Sequence, residues 1–144
     1  MTREEEIDRL LDERAVLRAL HEYAHAMDYG DEAGWIMAFA PEAVFNVFRV
    51  VEGDTIHRED GAGDLARYIA QYPKPPHFRK HIIADPIVDI SGNSASVRAY
   101  WLLLQRNDDT GAAELAAFGH YRDVLHKRDG RWVIVDRQAS VEAM

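Results

Sequence analysis

Residues 81–106 read HIIADPIVDISGNSASVRAYWLLLQR, and the fold turns on this stretch. Two runs rich in β-branched and aromatic residues, HIIADPIVDI and SASVRAYWLLLQR, flank Ser91–Gly92–Asn93. That trio is made of residue types that accept a tight backbone reversal, so the two runs read as an antiparallel strand pair. Towards the C-terminus, Asn107–Gly111 makes a second turn. LAAFGHYRDVLHK (115–127) and RWVIVDRQASV (131–141) then read as two more strands about Asp129–Gly130, a strong hairpin signal. The second half of the chain is therefore expected to be a four-strand meander.

Towards the N-terminus the period of the apolar residues changes. GDLARYIAQY (63–72) reads as a helix with Asp64 as its cap, and PKPP (73–76) cannot continue it. AVFNVFRVV (43–51) reads as a lone strand. Before it, Ile7, Leu10, Leu11, Leu17, Leu20, Ala24 and Met27 recur at three- and four-residue steps, the mark of one long amphipathic helix. Thr2 and Glu5 stand at capping-box spacing, and Glu4–Glu6 lie near the positive end of the helix dipole. Gly30 stops this helix, and Asp31 caps a short second one carrying Trp35, Ile36 and Phe39, which Pro41 closes.

The order is helix, helix, strand, helix, then four strands. It specifies an α+β fold whose helices pack on one face of a curved, mainly antiparallel sheet. A long helix laid across such a sheet leaves a tapered pocket between the two. No repeat, low-complexity tract or linker interrupts the pattern, so residues 1–144 are expected to form one domain. A chain of this length buries roughly two-thirds of its unfolded surface.

Composition narrows the function classes. No apolar run approaches the roughly 20 residues of a membrane span. MTREEEIDRLLDER (1–14) lacks the apolar core of a signal peptide. The chain has no cysteine, which excludes disulfides, thiolate chemistry and Cys-based zinc sites and fits a cytoplasmic location. A net charge of −8 opposes a polyanionic partner. The one short basic cluster, Arg79–Lys80 beside His77 and His81, is too small to reverse that. A small molecule is the expected partner, with neither nucleic acid nor membrane.

The titratable groups concentrate in HEYAHAMDYGDEAGW (21–35). His21 and His25 have i,i+4 spacing with Glu22 between, so HEYAH fits the HExxH zinc pattern. The helix ends soon afterwards with no third ligand, and the apolar stripe already claims the inward positions. No metal is therefore expected, and both histidines read as surface residues. Asp28 is different, because it shares the stripe of Leu17, Leu20 and Ala24 near the negative end of the helix dipole. An unpaired carboxylate there is disfavoured, so it needs a cationic or hydrogen-bonding neighbour. Tyr23 lies one turn before Met27, where its hydroxyl can reach the pocket. On the strand at 115–127, alternation puts Gly119, Tyr121, Asp123 and Leu125 on one face. If that face lines the pocket, Gly119 leaves room and Tyr121 and Asp123 supply polar contacts. The alternative for Asp123 is a cross-strand ion pair with Arg137 or Arg98. Trp35, Phe39, Phe45, Tyr68 and Tyr100 read as core that merges with the pocket wall.

The phrases EYAHAMDYGDEAGW, APEAVFNV, HFRKHIIADPIVDISGNSASVRAYW and GHYRDVLHKRDGRWVIVDRQASV, in this order of elements, resemble the SnoaL-like branch of the nuclear transport factor 2-like superfamily. The resemblance spans nearly the whole chain. It implies a cone-shaped α+β barrel enclosing a pocket, and commonly a homodimer formed through the sheet. It also implies, by similarity to the lyases of the superfamily, that Asp28 pairs with His81. Tyr23 and Arg137 match the tyrosine and last-strand arginine of the bile-acid dehydratase type. Arg106 stands where the scytalone dehydratase type has a further histidine. Val47 stands at the base aspartate of the ketosteroid isomerase type, and Tyr121 at the arginine of the limonene epoxide hydrolase type. Asp123 keeps open a cyclase reading of the SnoaL type.

The reading that results is a cofactor-independent lyase, a dehydratase of a small apolar cyclic or aromatic substrate. Asp28, His81 and Tyr23 are its catalytic candidates. Tyr121, Asp123, Arg137, Tyr100, Trp35, Phe39 and Tyr68 are its substrate-binding candidates. Two alternatives stand beside it: a hydrophobic ligand-binding or accessory module, and a polyketide cyclase or isomerase that uses Asp123.

Overall fold

The structure, a computed structural model, describes residues 1–144. Helix α1 runs from Arg3 to Tyr29, followed by α2 (Glu32–Met37), β1 (Phe39–Arg49), β2 (Thr55–Asp60), α3 (Gly61–Gln71), β3 (Arg79–Ser91), β4 (Ser94–Arg106), β5 (Ala113–Arg128) and β6 (Arg131–Ala143). The six strands make one sheet in the order β2-β1-β6-β5-β4-β3. Every pairing is antiparallel except β1 with β6. The sheet curves around the helices but does not close, so the expected barrel is an open one with β2 and β3 as its edges.

Local chemistry sets the helix ends. The Thr2 hydroxyl accepts from the Glu5 N–H at 3.1 Å, and the Glu5 carboxylate accepts from the Thr2 N–H at 2.8 Å. Gly30 takes the left-handed conformation (φ 77°) that an L side chain resists, and this turns the chain sharply out of α1. Asp31 caps α2 by accepting from the Gly34 N–H at 2.9 Å. The first turns of α1 overhang the sheet, so Ile7, Leu10 and Leu11 are exposed and the buried stripe begins at Val16. The long-helix reading holds, yet its N-terminal apolar residues do not join the core.

Three sequence expectations are corrected in the middle of the chain. Phe39 and Pro41 belong to β1, because α2 stops at Met37 and the chain extends at once to pair with β6. Strand β2 was not foreseen; it folds back on β1 around Gly53 (φ 76°), with Val47 opposite His57. Helix α3 starts at Gly61, not at Gly63, and Asp64 lies inside its first turn, accepting from the Asp60 N–H at 3.0 Å. No helix is long and apolar enough to cross a membrane.

The core lies between the helices and the concave face of the sheet. Val16 and Leu20 of α1, Trp35 of α2 and Leu65 of α3 meet Phe45, Val97, Leu125 and Ile134 from the strands, all buried. At the β5–β6 register shift, the Trp101 indole crosses beneath Gly119 to donate to the Ser140 carbonyl at 3.0 Å. A Cβ at position 119 would come within 1.8 Å of that carbonyl oxygen and 2.9 Å of Trp101 Nε1. Gly119 thus makes room for a neighbouring indole and strand. Replacing it with alanine is expected to lower stability by about 1–3 kcal/mol, the usual range for overpacking, as measured by urea denaturation.

Candidate functional site

The curvature of the sheet and the overlying helices leave a cavity of about 220 Å³. Tyr23 and Met27 enter it from α1, Tyr68 and Tyr72 from α3 and its C-terminal edge, and His57 from β2. Arg79 and His81 enter from β3, Trp101 and Leu103 from β4, and Tyr121 from β5. Val47, Ile56 and Met144 complete part of the wall, and the last two are exposed at its mouth. A larger groove of about 730 Å³ runs between α1, α2 and the β5–β6 hairpin. Its charged groups are already committed: Arg18 to Glu22 at 2.8 Å, and Asp31 to the α2 N-terminus. The smaller cavity is the one that the candidate residues Tyr23, His81 and Tyr121 line.

Asp28 and His81 meet across 53 residues of sequence. Asp28 Oδ2 accepts from the His81 backbone N–H at 2.9 Å, and Oδ1 lies 2.6 Å from His81 Nδ1. Both side chains are nearly buried, with 6% and 9% of their surface exposed. The local reason is topological. Strand β3 is a sheet edge, so alternate N–H groups point away from the ladder and need partners. Asp28, in the last turn of α1, supplies one. A carboxylate next to Nδ1 favours the tautomer protonated there, which leaves Nε2 as the lone-pair nitrogen of a ring that lines the cavity.

Behind the cavity wall lies a second charged pair. Arg137 donates from Nε and Nη2 to the two oxygens of Asp123, each at 2.8 Å, and both side chains are fully buried. These residues face each other directly in the β5–β6 register, so the cross-strand ion pair is the arrangement adopted. The guanidinium carbon sits 3.8 Å from the Tyr121 ring centre and 4.4 Å from that of Tyr23. Burial works against the arginine's charge, but the Asp123 carboxylate outweighs it and keeps Arg137 firmly cationic. Burial also raises the Tyr121 phenol well above its ordinary value, and raises Tyr23 despite the opposing effect of Arg137. Both hydroxyls therefore stay protonated as hydrogen-bond donors.

The other sequence candidates separate clearly. Tyr68 lines the cavity, its ring stacked on His57 at 4.5 Å. Trp35 and Phe39 pack behind Tyr23, at 5.7 and 5.8 Å between ring centres, and do not reach the cavity. Asp123 and Arg137 likewise lie behind Tyr121 and not on the cavity surface. Tyr100 is 55% exposed beside His120 on the outer face of the sheet, so it is neither core nor pocket wall. Its neighbour Trp101 takes the inner face, and strand alternation sends Tyr100 outward. Arg106 stands at the end of β4, outside the cavity. His21 and His25 are exposed, and no cluster of three or more His, Asp or Glu side chains has metal-holding geometry.

Among the polar and aromatic cavity residues, four escaped the sequence reading: His57, Tyr72, Trp101 and, as a cavity residue, Arg79. The available signal for His57 was the Glu52–Gly53–Asp54 cluster after a strand, which marks a hairpin. His57 Nδ1 lies 3.2 Å from Glu59 Oε1 without hydrogen-bond alignment, and burial lowers its pKa.

With the geometry in place, comparison with known proteins supplies the family. The sequence matches the SnoaL-like domain over residues 8–138. The chain belongs to the SnoaL-like family. A comparison with curated proteins finds no significant match. Among solved structures, this SnoaL-like chain is similar to three proteins of Novosphingobium aromaticivorans. One is assigned as the β subunit of an aromatic-ring-hydroxylating dioxygenase, with TM-score 0.83, 18% identity, and 94% and 92% of the two chains covered. Another is a nuclear transport factor 2-like protein with a cystatin-like fold, with TM-score 0.79, 14% identity, and 95% and 86% covered. The third is assigned as a scytalone dehydratase, with TM-score 0.76, 18% identity, and 94% and 87% covered. At these identities the likeness establishes the fold, a nuclear transport factor 2-like one, and leaves the activity to be argued from the site.

Two outcomes test this site as a physical object. Arg137→Met leaves the Asp123 carboxylate buried without its partner and is expected to cost about 3–5 kcal/mol in denaturant unfolding. Replacing both residues by apolar ones of similar volume should cost less. Separately, burial raises Tyr23, Tyr68, Tyr72 and Tyr121 in the folded chain. Their contribution to stability is complete below about pH 10, the ordinary phenol value, and is lost as pH rises through the folded values. An alkaline titration followed by phenolate absorbance should find these four of the six tyrosines ionising late, together with unfolding.

Proposed function

We propose that this SnoaL-like protein is a cofactor-independent dehydratase acting on a small, largely apolar cyclic or aromatic carbonyl compound. One observation carries the reading: an imidazole held by a carboxylate at Nδ1, with its other nitrogen free on the wall of an apolar cavity. A module that only binds has no need of that arrangement. An apolar cavity of roughly 150 Å³ takes benzene, so about 220 Å³ suits one or two fused rings.

In the proposed reaction His81 Nε2 removes a proton from the carbon next to the substrate carbonyl, and the electron pair moves onto the carbonyl oxygen. Tyr23 and Tyr121 donate hydrogen bonds to that oxygen as its charge grows. The hydroxyl on the next carbon then leaves, taking the proton from His81 to depart as water, and the histidine returns to its neutral state. Asp28 acts through His81, holding the ring and stabilising the imidazolium between the two steps. Positioned acid–base groups contribute about 10²–10⁴-fold, with oxyanion donors adding a comparable factor. This is enough to eliminate water from a substrate whose α-proton is already activated.

A cyclase or isomerase route through Asp123 draws no support from the geometry, because Arg137 occupies both carboxylate oxygens. The accessory-module reading is kept as an outcome of the test. The substrate for that test is a β-hydroxytetralone, whose loss of water gives a naphthol that is followed by absorbance. His81→Ala should lower kcat/KM by about 10²–10⁴-fold while ligand affinity is retained. Asp28→Asn should fall in the same direction through the loss of ring orientation. If β-hydroxytetralones bind but are not turned over, or His81→Ala is as active as the unmodified chain, the dehydratase reading fails and the accessory module takes its place.

The outer face of β3, β4 and β5 exposes Ile82, Tyr100, Leu104, Leu115 and Phe118 as one apolar patch. Soluble chains rarely leave such a patch uncovered, and we assign it to a second copy of this chain. Sedimentation should report a dimer, and Phe118→Asp should shift it to monomer.

A further inference from the structure

The cavity is lined by hydrocarbon, aromatic rings, two histidines and one residue of fixed charge, Arg79, with no aspartate or glutamate among its lining residues. That single cation is conspicuous in a chain of net charge −8. Arg79 forms no ion pair of its own. Arg79 also borders a polar groove with Glu114, Asp108 and Asp109, and none of the three pairs with it: Glu114 accepts from Gln105 at 2.7 Å and from Asn107 at 3.3 Å, Asp108 lies 3.5 Å from His77, and Asp109 comes within ion-pair distance of no cation. The guanidinium instead rests against Tyr72, 5.8 Å from the ring centre, and Tyr72 in turn lies 6.2 Å from the His81 ring. Arg79 and His81 are two apart on β3, so both side chains leave the inner face, with their backbones roughly 6.5–7 Å apart. His57, the second histidine in the wall, does not compete as a fixed cation, since burial favours its neutral form.

We infer that Arg79 is the anion-recognition residue of this cavity, and that its ligand is an aromatic or alicyclic carboxylic acid. Such a ligand is bound with the carboxylate on Arg79 and the ring system beside His81. The chemistry of the guanidinium selects the group. Its planar fork of N–H donors matches a carboxylate through two parallel hydrogen bonds, and a partly desolvated site strengthens them. The apolar remainder of the wall selects the ring. The spacing on β3 places the reactive carbon within roughly 7 Å of the carboxylate, which brings it to His81. This inference rests on the reading of the cavity as the substrate site, but not on turnover.

The test is therefore a binding measurement, with naphthoate and its neutral isostere naphthamide as probes, by titration calorimetry. The unmodified chain should prefer naphthoate by roughly tenfold or more, the usual effect of a hydrogen bond to a charged group. That preference should weaken as salt rises. Arg79→Met should abolish the preference while keeping naphthamide affinity, and Arg79→Lys should keep part of it. Circular dichroism confirms that each variant is folded. His81→Ala should keep the full preference, so a failure of the dehydratase reading leaves this result standing and the two are told apart. Equal affinity for the two probes, no naphthoate binding below millimolar concentration, or a preference that survives Arg79→Met overturns the inference. So does a preference that disappears in His57→Asn alone.

Discussion

The site depends on one carboxylate. Asp28 stands in the last turn of α1, where the helix dipole and burial both oppose a negative charge, and it is held there by two donors from the same residue. The backbone N–H of His81 ties the end of the helix to the edge strand of the sheet, and the imidazole closes the same contact through its ring. Structure and chemistry share this joint. Satisfying an edge-strand donor fixes where α1 crosses the sheet, and that crossing creates the cavity whose wall the histidine forms. Left-handed Gly30 then turns the chain away immediately, so the carboxylate stays at the helix end and is not carried past β3.

The opposite wall is built on a different principle. Arg137 and Asp123 cancel each other's charge within the core, and two tyrosine rings sandwich the guanidinium. A buried ion pair of this kind is weak evidence for stability, because desolvation offsets most of the attraction. Its consequence here is positional. The pair holds the rings of Tyr23 and Tyr121 at the boundary of the cavity, where burial keeps both phenols protonated, with Trp35 and Phe39 packed behind Tyr23. Two histidine-bearing strands, β2 and β3, stand at the open edges of the sheet, and the rigid middle of the sheet carries the tyrosines and Trp101.

Much of this was legible beforehand, and the limits follow from physics. The meander from residue 81 onward, the capping box at Thr2, the Asp31 cap and the inward alternation of Gly119, Tyr121, Asp123 and Leu125 are local patterns set by backbone geometry. They appear where the residues indicate. The short strand Thr55–Asp60 was missed because TIHRED carries a single large apolar residue, so its pairing with β1 decides its state. Tyr100 was assigned inward from its aromatic character, but the register set by Trp101 sends it to solvent. Asp123 illustrates a different limit, since its face on the strand was right. Whether a side chain on that face meets substrate or a partner depends on what the neighbouring strand brings opposite, and β6 brings Arg137.

By itself, then, the sequence determined the meander from residue 81 onward, the long first helix with its Thr2 and Gly30 ends, the Asp31 cap and the inward face of β5. Period and capping are properties of neighbouring residues, and they survive whatever the rest of the chain does. Only the tertiary structure decided which titratable groups meet. It joined Asp28 to His81, buried Asp123 against Arg137, brought His57 to the cavity on a strand that pattern does not reveal, and left Arg79 beside His81 without a counter-ion. Those meetings depend on the curvature of the sheet and on where α1 crosses it, which are set by packing between residues far apart in the chain.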